Sequence, residues 1–216
     1  MDSLKIVPVD QTRWMDLQTV FGKRGGAAAC QCQRAILPMR EYWHMPRDLR
    51  RDFLHEEIVG ARPAAPGLLA YLGDDPVGWC RLGPRYQFAP LRNSPVPWAE
   101  RREDKEDAKV WAVVCFVVRA GYRRRGISYA LAAAAVDHAR RHGAAAIEGY
   151  PMATRGEEIT WGELHVGAVG AFRAAGFREV THPSKRRYAM RIDFGDAAAK
   201  PMSTHPREQR GKTSKA

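Results

Sequence analysis

Residues 110–128 read VWAVVCFVVRAGYRRRGIS, and the rest of the 216-residue chain is best read outward from them. Val110 to Val118 is an unbroken apolar run rich in β-branched and aromatic residues. It is too short to span a bilayer and predicts a buried central strand, apolar on both faces. Strict alternation along it puts Cys115 on the face of Trp111 and Val113. Arg119 to Arg125 then form a basic turn, and Gly126 opens an alanine-rich helix ending near Gly143, a natural C-cap residue. On that helix Leu131, Ala134, Ala135 and His138 share one face, and Asp137 and Arg141 pair on the other. A strand feeding a basic turn and a glycine-led helix is a device for holding phosphate. Helix N-termini present unpaired N–H groups and partial positive charge, and glycine permits close backbone approach. Arg123, Arg124 and Arg125 add attraction and bidentate contacts for an anion, with a merely solvated basic turn as the alternative. Neither a Walker loop nor a G-x-G-x-x-G fingerprint occurs.

Outward from this unit the patterns alternate. Strands are predicted at Leu4 to Val7, Gly67 to Leu72, Val77 to Leu82, Ala145 to Tyr150, Phe177 to Val180 and Arg187 to Ile192. Asp10 N-caps a helix to about Phe21, and a second helix starting at Pro46 carries Leu49, Phe53 and Ile58 inward. A further helix is predicted from about Glu163 to Ala175, ending at Gly176. The segment Ala29 to Met45 has no clear period. Gly83 to Lys109 is a long polar connection with four prolines and a dense charge run from Glu100 to Asp107. From Gly195 on, apolar residues give way to Lys, Arg, Pro, Ser and Thr, which predicts one domain over 1–194 and a basic disordered tail over 195–216.

The 45% hydrophobic content excludes a wholly disordered chain. The start MDSLKIVPVD has no apolar signal core, so a cytoplasmic protein with no membrane partner is expected. Cys30, Cys32, Cys80 and Cys115 form no C-x-x-C pair and no zinc spacing; reduced thiols and no metal are expected. The net charge of +11 invites a nucleic-acid reading, but no helix-turn-helix, finger or aromatic RNA-binding motif is present. The tail carries five basic and two acidic residues, leaving +8 on the rest, three of it at Arg123 to Arg125. That balance points first to a phosphorylated ligand.

Val118 to Ser128 resembles the acyl-CoA pyrophosphate motif [QR]-x-x-G-x-[GA] of the GNAT acyltransferases. Arg123 stands at the Gln/Arg position and Gly126 at the first glycine, with Ser128 where Gly or Ala is usual. Ala171 to Phe177 resembles the family's second signature, a helix ending in L-Y-x-x-x-G-F. Cys30-Gln31-Cys32, Gly78-Trp79-Cys80-Arg81 and Glu148-Gly149-Tyr150-Pro151 resemble a bacterial branch of that family. The resemblance implies an α/β (α+β) fold with a mixed sheet of about six to seven strands and about four flanking helices. It also implies a central strand that splays from its neighbour to receive the pantetheine arm. Phe116, Val117 and Val118 would contact pantetheine and acetyl, mainly through backbone, and Arg123, Arg124, Arg125, Gly126, Ile127 and Ser128 would cradle the pyrophosphate. The implied reaction is direct N-acetyl transfer from acetyl-CoA to a primary amine, of a small molecule or of a protein, and a homodimer is compatible with it. The alternatives are a silent acyl-CoA-binding domain and, behind it, a nucleic-acid-binding protein.

Two departures stand out. Many members use a Glu early in the central strand as base, where this chain has Ala112, and a Tyr in the second motif as acid, where it has Phe172. Glu148, a carboxylate inside an apolar strand, is the leading candidate base, with a salt bridge to an arginine such as Arg81 as the alternative. His165 is a second candidate base, and Tyr150 and Tyr188 are candidate acids. The loop 83–109 and the segment Cys30 to Met45 are candidate walls of the acceptor cleft. The loop's acidic half suits a cationic amine, but Arg101, Arg102 and Lys105 interleave there.

Overall fold

The computed structural model describes residues 3–60, 64–154 and 159–195. The expected basic tail lies outside the described residues from residue 196 on. In chain order the elements are β1 (Leu4–Pro8), α1 (Trp14–Phe21), α2 (Gly26–Cys30), α3 (Met39–His44), α4 (Arg47–Gly60), β2 (Gly67–Leu72) and β3 (Asp75–Pro84). There follow α5 (Ala89–Asn93), α6 (Pro95–Trp98), β4 (Val110–Val118), α7 (Ile127–Arg141), β5 (Ala146–Gly149), α8 (Trp161–Leu164), α9 (Val169–Ala174), β6 (Arg178–Ser184) and β7 (Arg187–Asp193). The strands form one mixed sheet in the order β1-β2-β3-β4-β5-β7-β6. Only the β4–β5 pair is parallel, as a helical crossover through α7 requires.

The sheet buries both faces. Trp111, Val113 and Phe116 of β4 pack with Ile127, Leu131 and Ala135 of α7. On the other face Cys115 and Val117 pack with Leu17 of α1, Leu54 of α4 and Trp79 of β3. Strict alternation along β4 therefore fails, and Cys115 does not share a face with Trp111 and Val113. Against β3 the register steps from Arg81–Cys115 to Leu82–Val113, so Val114 is the extra residue of a β-bulge that inverts the remaining side chains.

Two predicted helices also differ. α4 buries Arg50, Leu54 and Ile58, while Leu49 and Phe53 are 45% and 46% exposed. The inward stripe is set by Arg50, whose guanidinium donates to the carbonyls of Ala29 (2.9 Å) and Tyr42 (2.6 Å) and lies over the Tyr42 ring. A cation that satisfies two buried carbonyls is stable inside, so the polar residue defines the buried face. The single helix predicted from Glu163 to Ala175 is broken into α8 and α9 around Gly167, whose φ is +86°. A Cβ there would lie 2.8 Å from the Phe172 ring and 3.0 Å from that of Phe116, so the turn needs glycine on two counts.

Candidate functional site

β4 and β5 pair only from Val110–Ala146 to Val113–Gly149. Beyond Val113 the edge of β4 facing β5 has no strand partner among the described residues. There the Phe116 N–H donates to the carbonyl of His165 (2.6 Å), on the turn between α8 and α9. The expected splay is thus present, and residues 164–168 lie along it.

A cavity of about 310 Å³ opens beside the splay, lined by Phe116, Val118, Arg123, Arg124, Ser128 and Gly167. Five of the predicted cofactor residues therefore meet at one cavity. Val117 turns its side chain to the opposite face, so only its backbone is available there. Arg123 Nε donates to the Val118 carbonyl (3.3 Å), and Arg125 lies over the Tyr122 ring, outside the cavity lining. Ile127 is buried and anchors the start of α7 in the core. Gly126, with φ +76° and ψ 1°, is the N-cap of α7. A Cβ on Gly126 would meet nothing within 4 Å, so its requirement is conformational, not spatial. The Tyr129 and Ala130 N–H groups make the first helical bonds, both to the Gly126 carbonyl, leaving the N–H groups of Ile127 and Ser128 ahead of the ladder.

Glu148 sits in β5 beside Ala112 of β4 and is fully buried. Its Oε1 accepts from Arg101 and from Arg191 Nη1 (2.7 Å), and its Oε2 from Arg85 Nη1 (3.1 Å) and the Tyr150 hydroxyl (2.6 Å). Strand alternation thus places Glu148 and Tyr150 together as expected, but the arginines are not the one anticipated, since Arg81 pairs with Glu57. Burial alone raises the Glu148 pKa; the hydrogen bond and charge of Arg101, with Tyr150 and Arg85, outweigh it and bring it to about 2. Such a carboxylate is a weak proton acceptor. Burial and the neighbouring carboxylate push the Tyr150 hydroxyl well above its ordinary range. Phe172 is a core residue, edge-to-face with Phe116 and Phe177, and Tyr188 stacks on His182.

On the other side of residues 164–168 lies a cavity of about 760 Å³, bounded by Val114 and His165 and by Arg34, Leu91, Arg92 and Arg187. Both predicted walls contribute to it, the segment 30–45 through Arg34 and the loop 83–109 through Leu91 and Arg92. The loop's acids do not line it: Glu106 pairs with Arg92, and Glu103 pairs with Arg101 and Arg191. His165 Nδ1 lies 2.8 Å from the Gly162 carbonyl. Burial, together with Arg34 and Arg187, lowers its pKa against the opposing effect of that carbonyl, keeping the ring neutral at neutral pH.

The family model for the acetyltransferase (GNAT) family matches residues 31–150, more than half of the chain. The chain belongs to the GNAT acetyltransferase family. Among solved structures, it resembles the PaiA N-acetyltransferase of Thermoplasma acidophilum in complex with coenzyme A. That likeness has 13% identity and a TM-score of 0.51, covering 89% of this chain and 99% of that one. It also resembles YncA, a putative acetyltransferase of Salmonella typhimurium with its cofactor acetyl-CoA. Here the values are 13% identity and a TM-score of 0.50, covering 94% and 100%. No curated protein sequence matches the chain.

In this GNAT chain Arg123, Arg124 and Ser128 of the motif line one cavity with Phe116 and Val118 of the splayed β4, and Glu148 stands on β5 beside Ala112 of β4. Arg34 and Arg187 were not predicted as site residues. Arg187 opens a strand and Arg34 stands in a segment without period, so only their shared cavity singles them out. The C-x-C segment packs against β4: Cys32 and Cys115 sulfurs are 3.4 Å apart, and Trp79 Nε1 donates to Cys32 Sγ. All four cysteines are free thiols. Among the described residues no group of three metal-ligating side chains occurs, and no helix is long and apolar enough to cross a membrane.

Proposed function

We propose that this GNAT chain transfers the acetyl group of acetyl-CoA directly to a primary amine, in the cytoplasm, through a complex of both substrates. The observation that carries the proposal is the pair of cavities flanking residues 164–168 at the splay, one beside the glycine-capped start of α7 and one beside the Val114 bulge. The first suits the cofactor: N–H groups of Ile127 and Ser128, with Arg123 and Arg124, take the diphosphate, and the edge of β4 takes the pantetheine amides. The Phe116 N–H must then exchange the His165 carbonyl for a substrate carbonyl. Arg125 contributes long-range attraction.

The second cavity delivers the amine to the thioester near Val114. A neutral amine attacks the carbonyl carbon, the tetrahedral intermediate collapses with loss of the CoA thiolate, and the amine's surplus proton leaves the new amide. Holding both substrates in line supplies much of the rate. His165 borders the acceptor cavity and is neutral, so it is the proton acceptor we assign. Glu148 becomes a positioning residue: it gathers Arg85, Arg101 and Arg191 and fixes Tyr150.

The caged Glu148 and the buried Phe172 favour one second reading, a domain that binds acetyl-CoA without turnover. Thermal unfolding with and without saturating acetyl-CoA tests the shared part; no stabilisation refutes both readings. Release of free CoA thiol over a panel of amines separates them, because the silent domain releases none.

A further inference from the structure

Arg187 begins β7 and lines the cavity beside Val114, half-buried. Its Nη2 donates to the Tyr150 carbonyl (3.3 Å), and its Nε is buried without a hydrogen-bond partner among the described residues. No carboxylate among those residues pairs with it, and burial alone draws its pKa down. A guanidinium withdrawn from water is normally balanced by an anion, and among the described residues this one has none.

Arg34 reaches the same cavity from the short helical turn Gln33–Ala35, exposed and likewise without a carboxylate partner among the described residues. Both arginines act electrostatically on His165, which places their charges around one point where the sheet opens. Arg92, the third arginine of the lining, is already bound to Glu106. Pro38, Leu91 and Val114 supply apolar wall, and among the described residues no Asp or Glu lines the cavity. A recess of low dielectric with charge of one sign concentrates ligands of the other.

Resting on the acetyl-transfer reading, we infer that the acceptor is a small amine carrying its own anionic group, a carboxylate or a phosphate, held by Arg187 and Arg34 in the cavity beside Val114. The planar guanidinium fork matches either oxyanion, and a short spacer then leaves the amine at His165 and Val114. A diamine or a lysine-rich peptide brings like charge to the same arginines and is disfavoured.

Matched acceptors test this by release of CoA thiol: γ-aminobutyrate against butylamine and putrescine, and O-phosphoethanolamine against ethanolamine, with a lysine peptide alongside. In at least one set the anionic member is expected to exceed its uncharged counterpart about 10-fold or more in kcat/KM, and the two sets distinguish carboxylate from phosphate. Arg187→Ala is expected to remove that preference, about 10- to 100-fold and chiefly through KM, with acetyl-CoA stabilisation retained. Arg34→Ala, at an exposed position that folding tolerates, should lose a smaller share of it. Equal or better turnover of butylamine, putrescine or the lysine peptide overturns the inference and leaves acetyl transfer standing. A preference that survives both variants also overturns it. No thiol release with any acceptor overturns acetyl transfer and this inference together.

Discussion

Replacing Glu148 by Gln keeps the shape of the side chain and an acceptor for the Tyr150 hydroxyl while deleting the charge that balances Arg85, Arg101 and Arg191. The folded carboxyl titrates at about 2 against an ordinary value of 4.5. That difference is worth about 3 kcal/mol of stability at neutral pH. Because the folded value is the lower one, the contribution is complete above the ordinary pKa and is lost as pH falls toward the folded one. Near pH 3 only about 1 kcal/mol of it is left. Glu148→Gln should therefore cost about 3 kcal/mol in urea unfolding at pH 7, a size typical of breaking a buried ion pair. Carboxylates away from this arginine cluster are common to both proteins and cancel in the gap between parent and variant. It should narrow to about 1 kcal/mol near pH 3. A gap below about 1 kcal/mol at pH 7, or one that does not change with pH, would refute the claim that the arginine cage holds Glu148 ionised.

Gly126→Val forces a β-branched residue into φ +76° at the N-cap of α7, a conformation costing on the order of 1–3 kcal/mol. It should weaken acetyl-CoA binding, measured by calorimetry, more than Arg123→Ala or Arg124→Ala does; equal affinity in Gly126→Val and the parent contradicts the backbone cradle. His165→Gln should flatten the acidic limb of the kcat/KM–pH profile and lower the rate roughly 10²-fold or more. The sign follows from the lowered pKa: the parent imidazole is a competent base above that value, so its rate falls as pH drops through it. An unchanged limb would move the proton to another group. Leu54→Ala, in a fully buried position between α4 and the sheet, should cost about 2–5 kcal/mol in urea unfolding while leaving the acetyl-CoA affinity of the folded protein alone.

What was legible in the sequence was what is contiguous along it. The splayed strand, its basic turn and the glycine-led start of the helix lie within residues 110–128, so one local reading brings out at once most of the residues that line the cavity beside the splay. The Val114 bulge was not legible, because every residue from Val110 to Val118 is apolar and suits either face; only the pairing with Arg81 and Leu82 fixes where the parity changes. The phase of α4 was missed for a related reason. Its inward stripe contains Arg50, and a hydrophobic period cannot register an arginine whose charge is satisfied by the Ala29 and Tyr42 carbonyls.

The same limit explains why Glu148 reads as a base in sequence and as a caged anion in the fold. An acid in an apolar strand signals that something must compensate it, but not what. Its partners come from residues 85, 101, 150 and 191, brought together only by the sheet order and by the folding back of loop 83–109. On the other side of the splay the imbalance is reversed. Arg34 and Arg187 bring cations to one cavity, and no carboxylate among the described residues lines it. Buried charge of either sign must be compensated, and the two sites differ only in where the counter-charge comes from. At Glu148 the chain provides it, through Arg85, Arg101 and Arg191. At Arg187 no described residue does, and under the proposed acceptor reading the anion arrives with the substrate, which makes an electrostatic deficit a criterion for substrate choice.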